Sequence, residues 1–365
     1  MPLLDPWTKL APSAAAAGPA GPDFSRRIDV VWAAFPPFGG GDAVPLYHRY
    51  YDDATGWVPQ DGWFTRGGQW SSAVTIAAFT DGQIEVFGQG PDGGLQHFSA
   101  FGELLTGPGT WSPESLGVPP AQVIVSAPGT AALGPTAPAA VVRTTDNGRP
   151  DWSFAFLEPN TTPENPFGYT WVWQSFAQLK DRFWPPVQTD LATAPALVWP
   201  YAGALAMFVV DDHNRLLYTG ISEGTGVPWR VITETPTVTS SPAAVVWRNE
   251  LAPADSLINV VSCLGPFPGF EPIPGAVLLK IGNASRWSED IGIYISGTTS
   301  AEGGAGDGRT IWSPPAVASW YEPRLDVFFV SAADEFGNDL KMTHGWSEAP
   351  DNPGLWAWEL FPLPG

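Results

Sequence analysis

The chain has 365 residues, 44% of them hydrophobic and 15% charged, with 40 glycines and 40 prolines. That is enough apolar material for a large core, but a backbone interrupted this often excludes long helices. The 37 acidic and 17 basic residues leave a formal charge of −20, which repels nucleic-acid phosphates and anionic membrane surfaces.

The 19 Trp, 20 Phe and 8 Tyr are spread along the whole length, so the glycines and prolines punctuate a folded interior rather than a disordered chain. No linker divides the sequence, and residues 1–365 read as one domain, since all-β rings exceed the usual domain size as single units. A lone cysteine, Cys263, excludes an intrachain disulfide. It lies in the apolar run Val260-Val261-Ser262-Cys263-Leu264 and reads as an inert core thiol. The start, Met1-Pro2-Leu3-Leu4-Asp5-Pro6-Trp7, lacks the basic and apolar regions of a signal peptide, and no stretch approaches a membrane span. The expected location is the cytoplasm, or outside the cell by a route that uses no signal peptide. The sequons at Asn160 and Asn283 then read as chance.

In chain order, Pro6-Trp7-Thr8-Lys9-Leu10 resembles the end of a fourth strand standing alone, and the segment 1–20 is expected to supply a ring-closing strand. The first repeat follows with a weak strand at Ala14–Ala17, then Arg27–Trp32, Leu46–Tyr50 and Trp57. The second is clear: Ala73–Phe79, Gln83–Phe87, Leu95–Phe98 and Trp111–Gly117. In the third, Ala139–Arg143, Asp151–Phe156 and Tyr169–Trp173 fill strands two to four. The fourth runs through Pro195–Trp199, Leu205–Val210, Arg215–Tyr218 and Trp229–Ile232. The fifth runs through Pro242–Trp247, Leu257–Val260, Val277–Leu279 and on to Trp287. The last is the most regular, with Pro315–Trp320, Arg324–Val330, Asn338–His344 and Trp356–Leu360.

The pattern recurs at intervals of about 50 to 65 residues, the spacing of propeller blades. Four short strands joined by polar turns make an antiparallel meander, and no meander can bury both faces alone. The fold expected is an all-β propeller of about six four-stranded blades, with seven as the competing count. The Trp recurring at the fourth strand reads as packing between blades.

The consensus combines Pro-Ala-Val-Val-x-Trp, Arg-Leu-Asp-Val-Phe-Val, Asp-x-x-Leu-x-His and Trp-x-x-Trp-Glu-x-Leu. It resembles the repeat of bacterial propeller lectins of the PLL type, best over Pro315–Leu360 and next over Ser72–Gly117. The resemblance implies a non-enzymatic ring that binds fucose-like or O-methylated sugars at sites repeated between blades. Its third-strand histidine is present as His48, His97 and His344 and replaced by Tyr218. Long insertions at Gly265–Gly275 and Gly297–Thr310 depart from it.

A sugar site needs an aromatic plate and a few polar groups. Trp199, Trp247 and Trp320 close the first strand of their repeats just before a turn, and Tyr321, Glu322 and Arg324 stand beside Trp320. The candidate ligand-binding set is therefore Trp199, Trp247, Trp320, Tyr321, Arg324, His48, His97 and His344. No cofactor is expected. Four histidines and one cysteine leave little for a metal centre, and Asp211-Asp212-His213-Asn214 reads as a hairpin turn. No His-Glu-x-x-His motif occurs. A glycan-binding protein is the first expectation, with a protein-interaction scaffold and a propeller glycosidase as the two alternatives. Asp29, Glu85 and Asp326 occupy equivalent second-strand positions, which points to a structural duty rather than an asymmetric catalytic pair.

Overall fold

A computed structural model describes residues 11–17, 27–33, 44–78, 82–100, 102–107, 109–132, 138–146, 149–160, 169–175, 193–201, 204–222, 225–233, 238–247, 256–264, 276–283, 286–294, 309–319, 323–333, 338–352 and 355–363. Nearly all regular structure among them is strand. The first sheet holds β1 (Ser13–Ala17), β2 (Arg27–Ala33), β3 (Val44–Asp52), β4 (Gly56–Val58) and β5 (Phe64–Trp70). The second holds β6 (Thr75–Ala78), β7 (Ile84–Gln89), β8 (Leu95–Ala100) and β9 (Glu114–Gly117), with a single helical turn, α1 (Glu103–Thr106), before its last strand.

The third sheet is β10 (Val123–Ile124), β11 (Gly129–Ala132), β12 (Pro138–Asp146), β13 (Arg149–Pro159) and β14 (Tyr169–Ser175). The fourth is β15 (Ala196–Tyr201), β16 (Ala204–Val210), β17 (Leu216–Ser222) and β18 (Thr225–Val231). The fifth is β19 (Ala243–Trp247), β20 (Leu257–Cys263), β21 (Ala276–Gly282) and β22 (Ile291–Tyr294). The sixth is β23 (Thr310–Ile311), β24 (Ala316–Ala318), β25 (Leu325–Ala332), β26 (Lys341–Ser347) and β27 (Ala357–Pro362).

Every pairing is antiparallel between sequence neighbours, apart from strands that are split in two. β4 and β5 both lie along the outer edge of β3, β10 and β11 along the inner edge of β12, and β23 and β24 along that of β25. The first strands β1, β6, β11, β15, β19 and β24 touch one after another, and β24 touches β1. Six blades thus close a ring, and the protein is a six-bladed β-propeller.

Composition follows position in the ring. Six first strands converge on the axis, and four of them are made largely of small residues, reading Ser-Ala-Ala-Ala-Ala, Thr-Ile-Ala-Ala, Gly-Thr-Ala-Ala and Ala-Val-Ala, while β15 and β19 begin with alanine and carry larger residues further along. Their starts line an axial cavity of about 110 Å³. Second strands lie between neighbouring blades with both faces covered, so β16 and β25 are buried at every residue.

A hydroxyl latch joins the first strand to the second in four blades. The Oγ of Ser72, Thr193, Ser240 and Ser313, just ahead of the first strand, accepts the backbone N–H of Gln89, Val210, Cys263 and Val330 at 2.9, 3.0, 2.9 and 2.8 Å. It satisfies a donor that the short first strand leaves unpaired.

The expected fourth-strand tryptophans stand at the blade boundaries. Trp57 meets Phe328 and His344 of the sixth blade edge-on, Trp171 meets Phe87 and His97, and Trp287 meets Phe208 and Tyr218. Trp111 lies against His48, Trp229 packs into the core between the third and fourth blades, and Trp356 into that between the fifth and sixth. One boundary differs in detail: Trp287 makes only an isolated bridge to Gly282, and the fourth strand of the fifth blade comes later, at Ile291–Tyr294. Of the expected ring-closing segment 1–20, Ser13–Ala17 is the innermost strand of the first blade, and residues 1–10 lie outside the described residues. What fastens the first blade to the last among the described residues is side-chain contact: the indoles of Trp57 and Trp63 donate to Glu359 Oε1 at 2.9 Å and to the Pro362 carbonyl at 3.0 Å.

Candidate ligand site

The boundary between first and last blades opens into a cleft of about 410 Å³. Its geometry starts at the turn after β3. Asp52 Oδ1 accepts the backbone N–H groups of Ala54 and Thr55 at 2.9 and 3.0 Å, and Gly56 takes φ +76°. That Asx turn sends the chain back along β3 as β4, with Trp57 at its centre facing β27. Arg49, Trp57, Gln60 and Asp61 line one side of the cleft, Phe361 and Pro362 the other.

Arg49 is the unusual member. It is 4% exposed, and its guanidinium lies 4.4 Å from the ring centre of Phe361 and 5.2 Å from that of Trp57. One nitrogen donates to the Gln60 carbonyl at 2.9 Å, while Nε is buried with no partner. Burial lowers its pKa, and the more distant charges of Glu359 and Asp61 act the other way. An enclosed guanidinium with a free N–H is costly unless something occupies the cleft beside it.

The residues after the third-strand histidines show how local this chemistry is. The residue following His48 is Arg49, but the corresponding positions after His97, Tyr218 and His344 hold Phe98, Thr219 and Gly345. At Gly345 the ring of Trp358 fills the space a side chain would need.

Behind the cleft runs a chain of buried polar contacts. Arg324 forks onto Asp326 with bonds of 2.8 and 2.9 Å, His344 Nε2 meets Asp326 Oδ1 at 2.9 Å, and His344 Nδ1 meets Glu359 Oε1 at 2.7 Å. The second blade repeats it. There Glu85 and Glu114 flank His97, with Gln83 bonded to Glu85 and His97 Nδ1 2.9 Å from Glu114 Oε1.

In the first blade Arg27 forks onto Asp29 and His48 Nε2 meets Asp29 at 2.7 Å, but His48 Nδ1 faces Arg66, whose guanidinium also caps the carbonyls of Leu105 and Gly107. The fourth and fifth blades lack the pattern: strand pairing puts Ala206 and Tyr218, then Asn259 and Leu279, at the matching positions. Lys280, one position further along β21, finds Asp290 at 2.8 Å.

These surroundings set the protonation states. Burial alone would raise Asp29 and Asp326, but the arginine and histidine beside each outweigh it and hold both carboxyls below their ordinary value. Burial lowers His48, whose contacts with Asp29 oppose this only in part. His344, equally buried, ends above its ordinary value because Asp326 and Glu359 together outweigh burial.

The residues singled out from sequence fall into distinct places. His48, His97 and His344 are interior, and both ring nitrogens of each face a protein group. A ring-nitrogen contact with a ligand would have to open one of those bonds. Trp247 is 6% exposed and plugs the boundary between fifth and sixth blades. Trp199 is half-buried between third and fourth blades, with its indole N–H enclosed and unpartnered. Arg324 is engaged by Asp326, and Trp320, Tyr321 and Glu322 lie outside the described residues.

The cleft residues escaped sequence reading because Arg49 stands where other repeats hold Phe98, Thr219 and Gly345, and Gln60 and Asp61 follow the last residue placed in the first repeat. Asp211 sits in a hairpin turn, its Oδ1 accepting the N–H of His213 and Arg215 at 3.0 and 2.9 Å and its Oδ2 taking the Arg215 guanidinium. Among the described residues the carboxyls with a displaced pKa, Asp29, Asp326, Asp339 and Glu359, are all displaced downward.

No protein-family model matches the chain, and no curated protein matches it. Solved structures do. A fungal lectin from Aleuria aurantia, described as six-bladed with a novel fucose recognition mode, superposes with a TM-score of 0.58 at 13% identity, covering 98% of this chain and 97% of that one. The shared fold is the six-bladed propeller.

SapL1 lectin in complex with alpha methyl fucoside superposes with a TM-score of 0.51 at 14% identity over 98% and 99% of the two chains. Trypanosoma rangeli sialidase in complex with sialic acid gives 0.52 at 12% identity, over 93% of this chain but 54% of its own. At these identities the likeness is one of fold.

Proposed function

We propose that this propeller is a non-catalytic carbohydrate-binding protein that recognises fucose-like or O-methylated sugars, with the cleft between its first and last blades as the principal site. The observation that carries the reading is Arg49: a nearly buried guanidinium, its Nε without a protein partner, packed against the rings of Trp57 and Phe361 in the wall of the cleft. Aromatic faces take the apolar side of a pyranose, and a charged donor beside them fixes its hydroxyl or ring oxygens. The two propeller lectins described above, both named with fucose or a fucoside, support this choice of sugar. Half-buried Trp199, with its unpartnered indole N–H, is the candidate for a further sugar contact at another boundary.

Calorimetric titration with methyl α-L-fucoside and with O-methylated saccharides tests the proposal. Arg49→Met should weaken binding about tenfold or more, the loss of a charged hydrogen bond. The melting temperature should stay level or rise, because the arginine has no carboxylate in ion-pair reach among the described residues. Absence of binding by the unaltered protein, or its hydrolysis of a reporter glycoside, would overturn the reading.

A further inference from the structure

Glu359 Oε1 accepts two hydrogen bonds, from His344 Nδ1 at 2.7 Å and from the indole of Trp57 at 2.9 Å. His344 Nε2 is at the same time 2.9 Å from Asp326 Oδ1. Ionised carboxylates only accept, and a neutral imidazole has a single N–H, so both contacts are made together only by the imidazolium. The ring cannot turn away. It is 3% exposed and stacked between Phe328, at 4.4 Å and 3°, and Trp346, at 5.0 Å.

The second blade carries the same arrangement, with His97 between Glu85 and Glu114 and the indole of Trp171 donating to Glu114 Oε1 at 3.1 Å. The first blade serves as a contrast: Arg66 faces His48 Nδ1, an arrangement suited to a neutral ring.

We infer that His344 and Glu359 are positioning residues for the cleft, holding Trp57 in its ligand-ready orientation only while His344 carries its proton. The inference rests on the cleft being the sugar site. If His344 loses that proton, a lone pair faces a carboxylate at hydrogen-bond distance. Of the two carboxylates Glu359 is the one able to leave, with 35% of its side chain exposed against none of Asp326. Trp57 then loses its acceptor.

The charges around the ring are accounted for. Asp326 of β25 and Glu359 of β27 touch it, and Arg324 lies behind Asp326 with Tyr51 and Glu348 acting on that arginine. Arg49 of β3 acts on Glu359 past the Trp57 and Phe361 rings, and β4 contributes the neutral indole of Trp57. Burial disfavours the imidazolium, but the two carboxylates outweigh it and place its pKa above the ordinary 6.5. Binding is therefore complete below 6.5 and declines as pH rises through that higher value.

The test is calorimetric titration of methyl α-L-fucoside between about pH 5 and 9, beside an NMR titration of the histidine rings, of which there are only four. Affinity of the unaltered protein should fall about tenfold across the His344 titration, the scale of one hydrogen bond. Saturating fucoside should move the His344 midpoint upward, a reciprocal shift that a merely structural histidine would not show. His344→Gln should bind weakly with a flat pH profile. Binding that is present but independent of pH, an unmoved His344 midpoint, or a pH dependence that survives in His344→Gln would overturn the inference and leave the cleft standing. No fucoside binding at any pH would remove the cleft reading and the inference with it.

Discussion

Trp247, the last residue of β19, donates its indole N–H to Ser319 Oγ at 3.0 Å across the boundary between fifth and sixth blades. Its ring packs among Val261, Leu279, Leu325 and Phe329, so its faces are covered by neighbouring side chains. Trp247→Ala is expected to cost about 3 to 5 kcal/mol of stability, as other emptied aromatic sites do. Trp247→Phe should cost about 1 kcal/mol for the lost hydrogen bond. Thermal melts check both, and fucoside affinity measured well below the melting point should be unchanged in Trp247→Phe.

His48 and His344 should tilt the pH dependence of stability in opposite directions. Burial depresses His48, so its contribution is present above the ordinary 6.5 and is lost as pH falls through the lower folded value. His344 is raised, so its contribution is complete below 6.5 and is lost as pH rises through the folded value. Asp29 and Asp326, held low, give way only as pH falls below 3.8. Melting temperatures taken across the neutral range should therefore lose their acid-side slope in His48→Gln and their alkaline-side slope in His344→Gln.

The hydroxyl latch predicts an effect out of proportion to the few atoms removed. Ser313→Ala would leave the N–H of Val330 buried without its 2.8 Å acceptor, at a cost of about 1 to 3 kcal/mol. Ser313→Thr, which keeps the oxygen, should recover most of that loss, as Thr193 performs the same task in the fourth blade. Denaturant unfolding of the two variants distinguishes a hydrogen-bond effect from one of packing.

Cys263 should be unreactive in the folded ring. It is 8% exposed, and burial pushes its thiol up to about 11, against a weaker opposing hydrogen bond from the Ser240 side. Its Sγ donates to the Ser313 carbonyl at 3.4 Å. Iodoacetamide at neutral pH should label it only after denaturation, and mass spectrometry of the intact protein reads the result.

Much of the ring is legible in the sequence because a propeller states its plan repeatedly. Strands such as Arg324–Val330 and Gln83–Phe87 share a pattern of apolar and acidic residues, and each recurrence strengthens the reading of the others. What happens once is harder to see. Arg49, Gln60 and Asp61 have no counterparts in other blades, and Trp57 meets Glu359 from 302 positions away. The latch recurs as Thr193-Ala194-Pro195-Ala196, Ser240-Ser241-Pro242-Ala243 and Ser313-Pro314-Pro315-Ala316, but its hydroxyls stand ahead of the strands in what reads as loop, and the sequence does not mark them as acceptors. Trp247 looks like a rim residue by its place before a turn, and only the neighbouring blade reveals that it is covered.

The seam between first and last blades also carries a consequence for how the ring is made. Every other boundary joins blades that follow one another along the chain, whereas the bonds of Trp57 and Trp63 span 302 and 299 positions. The entropy of closing so long a loop is recovered only when the intervening blades have fixed its ends near each other. The seam is accordingly expected to form last, and the candidate sugar cleft with it.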